Sequence, residues 1–374
     1  MPWQPPIRLL ARGISQTHIA RHFVPLYGLV LLSVSLYPYT GWRWPNQPVF
    51  AFLGYATPYY KSPLDDLLNI AAYVPLGAGL FLSLRHRLHS LLAMPAAWLA
   101  GSSLSVGIEC LQVFLPGRIA SNIDILHNAA GALLGAVAAA LLATKLIMHR
   151  LELARHAWFC EGTHIDFGLV LVALWFFTQL DPSIPLFGVI VPHHGLPQPF
   201  EAPIGNPSLF LKTLQGLNAS LNLLSLALLL TVTLAHRRFM PGGIAILISL
   251  TLLLKLATAG LLLKPFALFQ WLSWPIAIGL IVASLLLPIA IRLRRRWRAL
   301  AAGLALLCNQ GVSWLWPLNE TPMSALKLFR WKGQHLLNFN GMAHTIADIW
   351  PYLALMFLLR FFLQERQRRD KNWL

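Results

Sequence analysis

The chain has 374 residues, of which 57% are hydrophobic and only 11% charged, with a formal net charge of +16. A water-soluble domain is about one quarter charged, so this balance, with a mean hydropathy of +0.61, excludes an ordinary soluble fold and points to the bilayer. The excess of positive charge would suggest a nucleic-acid partner in a soluble protein, but no stretch is left over for a folded basic domain, and nucleic acid is set aside as a partner.

The N-terminal segment 1–22 is basic (Arg8, Arg12, Arg21) and precedes an apolar run from Phe23 that ends in "YPYTGW" without a small-x-small cleavage pattern. It reads as a retained first span. A membrane-crossing helix needs about 20 apolar residues. Stretches of that kind fall at about 23–40, 67–84, 91–115, 124–148, 166–190, 217–235, 243–263, 267–291, 299–316 and 343–363. The second and fifth are interrupted by "VPLG" and "QLDPSIP". Runs this continuous exclude alternating barrel strands, so the expected fold is an all-α, polytopic transmembrane bundle of about ten spans.

Lys and Arg placement gives the orientation. Under the ten-span scheme 19 of them fall on one side and 8 on the other, which puts both termini in the cytoplasm of a multi-pass inner-membrane protein. Most of the net charge is thereby explained as topology. The run "RLRRRWR" (292–298) reads as a topogenic cytoplasmic loop, with contact to anionic lipid headgroups as the alternative. Cys110, Cys160 and Cys308 are far apart and imply neither a disulfide framework nor a zinc site.

That orientation brings polar residues to one membrane level. Asp65, Asp66 and Asn69 open the second span, Glu109 and Gln112 close the third, Asp124 and Asn128 open the fourth, and Asn338, Asn340, His344 and Asp348 open the tenth. All four groups are expected on the extracytoplasmic side. Glu109 and Gln112, three apart, share a helix face, and Asp124 stacks on Asn128 four residues on. Gly131 and Gly135 continue that stripe as a small-x-x-x-small surface. Two readings of Asp124 stand, a helix cap or a site carboxylate. Arg118, in the "PGR" turn, is within reach of Glu109 and Asp124, giving either a structural ion network or a substrate contact. Glu109 is the hardest to dismiss, since intramembrane carboxylates are rare and face a partner or cavity. His344 and Asp348 at i, i+4 suit either an acid–base pair or an interhelical contact. His127 lies off the Glu109-type pattern and reads as incidental; Lys255 either snorkels or pairs internally. No cofactor is expected. Mg²⁺ held by Glu109, Asp124 and Asp66 against a pyrophosphate is a weaker alternative that no spacing demands.

The stretch "IECLQVFLPGRIASNIDILHNAAGALLG" (108–135) resembles the signature of the VanZ-like family: a span ending E-x-x-Q, a P-x-R turn, and a span reading D-x-x-x-N-x-x-G-x-x-x-G. Glu109, Gln112, Pro116, Arg118, Asp124, Asn128, Gly131 and Gly135 match it, and Asp65/Asp66, Asn69, Pro75 and Gly77 resemble the family's earlier acidic-start span. The chain departs there, reading "DDLLN" where many members have a D-K pair and a downstream His. The resemblance covers about 25–148 and divides the chain into the N-terminal segment, a four-helix domain over 23–150 and a C-terminal region of about six helices with a basic tail over 151–374. The family takes its name from a glycopeptide (teicoplanin) resistance protein, which implies an envelope-related function and no particular reaction. Three function classes follow. The first is an outer-face polar site made of Asp66, Asn69, Glu109, Gln112, Arg118, Asp124, Asn128, His344 and Asp348 that binds a lipid-linked envelope precursor, a glycopeptide or another amphiphile. The second is an enzyme acting on a polyprenyl-phosphate-type substrate, with Glu109 or Asp124 as acid/base and Arg118 on the phosphate. The third is a transporter, although no inverted repeat is visible. Membrane lipids are expected neighbours in every case; oligomeric state is not legible.

Overall fold

The computed structural model describes residues 19–37, 39–55, 63–188, 207–315, 328–330 and 334–371. It is 78% helical, and the described residues form no strand, only an isolated antiparallel bridge between Leu263 and Phe329. Among the described residues eleven α-helices follow in chain order: α1 (Ile19–Leu36), α2 (Pro63–Leu84), α3 (Ser90–Gln112), α4 (Asn122–Leu142), α5 (Lys145–Trp158), α6 (Thr163–Thr178), α7 (Pro207–Thr233), α8 (Met240–Leu262), α9 (Trp274–Ala290), α10 (Arg295–Leu315) and α11 (Gln334–Lys371). Seven of them, α1 to α4, α7, α8 and α11, are long and apolar enough to cross a membrane, and α6 and α9 are shorter apolar helices. Exposed Leu92, Leu99, Leu141, Leu253 and Leu285 cover outward faces, as lipid-facing helix surfaces do, since hydrocarbon is as apolar as leucine. The protein is a multi-pass helical membrane protein.

Three expected spans have different limits in the structure. The fourth ends at Leu142, and the residues that would have extended it start α5, capped by the Thr144 hydroxyl accepting the Ile147 N–H at 3.3 Å. The fifth stops at Thr178, where "QLDPSIP" leaves the helix. The eighth begins only at Trp274, after a 3-10 turn at Pro265–Ala267. In each case a capping residue or a proline cuts into a continuous apolar run, which hydropathy alone does not register.

The chain divides into two compact units, Met1–Phe167 and Gly168–Leu374, with the division inside α6. In the first unit α2 and α4 run parallel and touch backbone to backbone. A Cβ added to Gly131 would strike the Ile70 carbonyl, one at Gly135 the Val74 carbonyl, and one at Gly77 the Ala132 carbonyl. The register is constant (70 on 131, 74 on 135), which is what a glycine every fourth residue permits. α3 packs alongside through Ala93, Ala97 and Gly101, Gly101 against Ala132. At the end of this unit, Arg155 donates from Nε and Nη2 to Asp166 Oδ1 at 3.0 and 2.6 Å, a buried ion pair.

In the second unit α7 is the central helix, lying against α9 where Gly216 meets Gly279 and antiparallel to α10. Asn218 donates to Ser313 at one end of the α7–α10 pair at 3.3 Å, and Arg298 donates to the Thr231 carbonyl at the other at 3.0 Å. Arginines close helix C termini in both units, where the last carbonyls have no partner within the helix. Arg85 bonds Ala143 O after α4, Arg295 bonds Val232 O in α7, and Arg330 bonds Leu263 O after α8. In the "RLRRRWR" run, Arg295 and Arg298 therefore serve α7, while Arg292 and Arg294 are exposed.

Candidate functional site

The polar end of the first unit is built where α1 and α3 finish and α2 and α4 begin. Ser121 caps α4: its hydroxyl accepts the N–H groups of Ile123 and Asp124 at 3.2 and 3.4 Å. Because Ser121 fills that role, Asp124 is not the cap, and its carboxylate faces α2, where Oδ1 accepts a hydrogen bond from Asn69 Nδ2 at 3.0 Å. One turn on, His127 Nδ1 lies 3.1 Å from Asp66 Oδ1. The parallel register that places Ile70 on Gly131 also places Asp66 on His127, so the glycine seam sets the spacing of the polar groups above it. Asp66 and Asn69 on α2 thus face Asp124 and His127 on α4. The Asp65 side chain lies outside the described residues.

Glu109 sits in the last turn of α3 and is 3% exposed. Its Oε2 accepts the backbone N–H of Ser121 at 2.9 Å, tying the end of α3 to the start of α4. Gln112 donates to the Ser35 carbonyl at 2.9 Å. Arg118 donates from Nε and Nη2 to the Tyr37 carbonyl at 2.9 and 2.7 Å and from Nη2 to Val34 O at 3.1 Å. Its guanidinium fork therefore closes the C terminus of α1 rather than bridging Glu109 and Asp124. Burial draws the Arg118 pKa down from its ordinary range, with the Glu109 carboxyl and the Tyr39 hydroxyl opposing.

Deeper in the bundle, Asn128 Nδ2 donates to Ser105 Oγ at 2.9 Å, and its buried Oδ1 has no hydrogen-bond partner among the described residues. Tyr73 of α2 is buried at the same level, and Tyr27 of α1 donates to Ala72 O at 2.8 Å. Over the polar end runs the segment 39–55. Asn122 donates to Leu53 O and Tyr55 O at 3.3 and 2.9 Å, the Arg43 N–H donates to Phe114 O at 3.0 Å, and Trp44 meets Phe114 edge-on at 5.4 Å. Tyr37, Tyr39, Trp42, Trp44 and Phe50 are exposed there, the residue types that gather at a membrane–water boundary.

The structure brings Asp66, Asn69, Glu109, Gln112, Arg118, Asp124 and Asn128 to one end of one unit. Asp348 belongs to α11 in the second unit, where its buried Oδ1 has no hydrogen-bond partner among the described residues. His344 lies on the same helix, its side chain outside the described residues along with those of Asn338 and Asn340. The sequence reading set aside His127, which faces Asp66, passed over Ser105, and did not identify Ser121 as the cap of α4. The signal for His127 was present: it stands three residues after Asp124, the spacing already used to stack the other pairs. Among the described residues, no three His, Cys, Asp or Glu side chains group as a metal site.

With the Arg118 fork turned to carbonyls, the polar end offers three carboxyl groups, the amides of Asn69 and Asn128 and an imidazole. Such a set accepts hydrogen bonds more readily than it donates them. It suits hydroxyl, amide or ammonium donors better than a phosphate. Residues 15–143, which contain α1 to α4, match the model of the VanZ/LLP1 family. No curated protein and no solved structure matches the chain.

Proposed function

We propose, for a membrane protein of the cell envelope whose residues 15–143 form a VanZ-type domain, that the polar end of this domain is an extracytoplasmic binding site. Its ligand is the hydrogen-bond-donating part of an amphiphilic envelope component, such as the sugar–peptide portion of a lipid-linked precursor or a glycopeptide. The observation that carries this reading is Glu109: a carboxyl group buried among apolar helices, one turn from their end, with a single described hydrogen bond from a backbone N–H. Intramembrane carboxyl groups are retained where they face a partner or a ligand. The orientation rests on the arginine-rich loops at the opposite end, on the cytoplasmic inner-membrane side under the positive-inside rule, and on the exposed aromatic residues beside the site. Through such binding the protein lowers access of a glycopeptide to its target or assists envelope and exopolysaccharide assembly.

The same geometry supports binding over phosphoryl chemistry, because the residue that would stabilise phosphate charge, Arg118, is engaged by Val34 and Tyr37. The test is Glu109→Gln and Asp124→Asn in the full-length protein. Teicoplanin susceptibility of cells producing each variant is measured alongside the variant's thermal stability in detergent. The expected result is loss of the wild-type effect on susceptibility with the melting temperature held. Unchanged susceptibility in both variants, or a loss that only follows a fall in melting temperature, returns these carboxyl groups to a structural role. Turnover of a radiolabelled polyprenyl-phosphate-linked substrate by the purified protein would favour the enzyme reading instead.

A further inference from the structure

The second unit contains irregular backbone where helix is expected. α6 ends at Thr178, and the residues that follow, "QLDPSIPLFG" (179–188), leave the helix yet remain buried, with Gln179, Asp181, Pro182, Ile184, Leu186 and Phe187 all inaccessible. Within a membrane, non-helical backbone persists only where protein covers it or where it lines a polar cavity, because its N–H and C=O groups have no water to turn to. Here both conditions are met. Lys255 of α8, fully buried and two turns (about 10 Å) inside that span, donates its ammonium to the carbonyls of Asp181 and Ile184, the latter at 3.0 Å. Asn222, near the middle of α7, donates to Phe187 O at 2.9 Å. The N–H and hydroxyl of Ser183 donate to Asp181 Oδ1 at 2.9 and 2.7 Å, which closes the turn on itself. Lys255 thus neither snorkels nor stands idle: it holds a broken segment at membrane depth.

Beside this segment is a cavity of about 20 Å³ whose walls include Trp175, Thr178, Gly188, Asn222, Gln310 and Trp350. The volume admits a water molecule or one hydroxymethyl group, and no more. Among the described residues no charged side chain lines it; the polar walls they form are a hydroxyl and two amides, groups that both donate and accept. The two indoles are fixed in place, Trp175 stacked on Phe187 at 5.2 Å and Trp350 donating to Leu171 O at 2.7 Å.

We propose that this cavity is a second binding site of the protein, one that takes the terminal hydroxymethyl group of an uncharged membrane amphiphile between Asn222 and Gln310. Discontinuous helices with unwound backbone at mid-membrane form ligand sites of this general kind. A described lining without charge selects against phosphate and quaternary ammonium headgroups, and the surrounding apolar helices favour a ligand that arrives with an acyl or alkyl tail. A glycerol-ended and a glucosyl-ended amphiphile share the required group, and the experiment separates them.

The full-length protein is reconstituted in phosphatidylcholine nanodiscs and photolabelled with a diazirine-bearing monoacylglycerol, and labelled peptides are mapped by mass spectrometry. Labelling is expected on peptides containing Thr178, Gln310 or Trp350, competed by unlabelled monoolein or by octyl glucoside, whichever source fits, and not by lysophosphatidylcholine. Gln310→Leu is expected to weaken that competition about tenfold, having lost a hydrogen bond to the hydroxyl, and Thr178→Val a few-fold, because it replaces a polar wall of the cavity with a methyl group. Glu109→Gln, in the other unit, leaves it unchanged, which separates this site from the one proposed above. Labelling spread over lipid-facing helices, competition by lysophosphatidylcholine equal to that by monoolein, or competition unmoved in folded Gln310→Leu and Thr178→Val overturns the proposal. Absence of competable labelling also overturns it, leaving the cavity as a water site.

Discussion

The α2–α4 pair and the α7–α10 pair are both helix seams inside apolar units, and they are closed by opposite means. α2 and α4 meet through Gly77, Gly131 and Gly135, carbonyl against Cα, with no side chain between them. α7 and α10 meet through side chains, with Asn218 on Ser313, Arg298 on Thr231, and Asn309 fully buried with neither amide atom paired among the described residues. The first seam leaves no space, so polar groups are pushed to its end, where the register fixes Asp66 on His127 and Asn69 on Asp124. The second tolerates polar groups along its length, and the cavity opens beside it. One seam positions a site above itself; the other carries polar character within the membrane.

The sharpest way to break this contrast is to fill the glycine seam. Gly135→Val puts three carbons where the Val74 carbonyl stands, and neither backbone can yield without separating the helices. Overpacking of this kind costs about 1–3 kcal/mol even where side chains can move, so the upper end or a failure to assemble is expected. Gly107 and Gly303 have open space around the position of a Cβ, and their alanine variants are expected to melt within about 0.5 kcal/mol of the wild type. Thermal unfolding in detergent, followed by circular dichroism, measures all three. Equal tolerance at Gly135 and Gly107 would show that α2 and α4 do not touch as described.

A smaller effect is expected at the arginine caps, which the two units share. Arg118→Ala leaves carbonyls of α1 unpaired, and Arg298→Ala does the same for α7. Arg298→Ala is expected to lose about 1–3 kcal/mol, the cost of an unmade buried hydrogen bond, and Arg118→Ala less, because its bonds to Tyr37 O are exposed. Arg292→Ala, in the same basic run as Arg298 but exposed, is expected to change stability little and to act instead on insertion topology, read by a reporter fused to the C terminus. If Arg292 and Arg298 behave alike, the run is purely topogenic and the caps contribute nothing.

How much of this was legible in the sequence depends on range. The apolar helices were, because hydropathy over about 20 residues is a local property, and so was the polar end of the first unit, because Glu109, Gln112, Asp124 and Asn128 follow helical spacing within one hairpin. The amphipathic helix α5 escaped, its Leu146, Ile147 and Met148 having been counted as the tail of the fourth span. The roles of the arginines escaped because a cap is supplied from far along the chain: Arg118 reaches α1 across 81 residues and Arg298 reaches α7 across 67. Composition sees a charge and assigns it to topology; only the fold shows which carbonyl it meets. The inward turn of 179–188 was visible only as an interruption, since nothing local tells a buried loop from an exposed one.

The finest test compares one polar pair from each seam. Asn128–Ser105 lies beneath the polar end of the first unit, and Asn218–Ser313 lies in the α7–α10 seam, bonded at 2.9 and 3.3 Å. Interhelical hydrogen bonds between membrane helices average about 0.6 kcal/mol in double-mutant cycles, because the separated helices find other partners. Cycles built from Asn→Ala and Ser→Ala at both pairs are expected to return about that coupling for Asn128–Ser105 and less for the longer Asn218–Ser313 bond. The glycine seam holds the first pair in place whether or not the bond forms, whereas the second depends on side chains that have neighbours to exchange with. A larger coupling at Asn218–Ser313 would reverse the contrast and make the amide seam the more rigid of the two. A cavity held open there would then be a fixed feature of the fold, where a softer seam would let it close around its ligand.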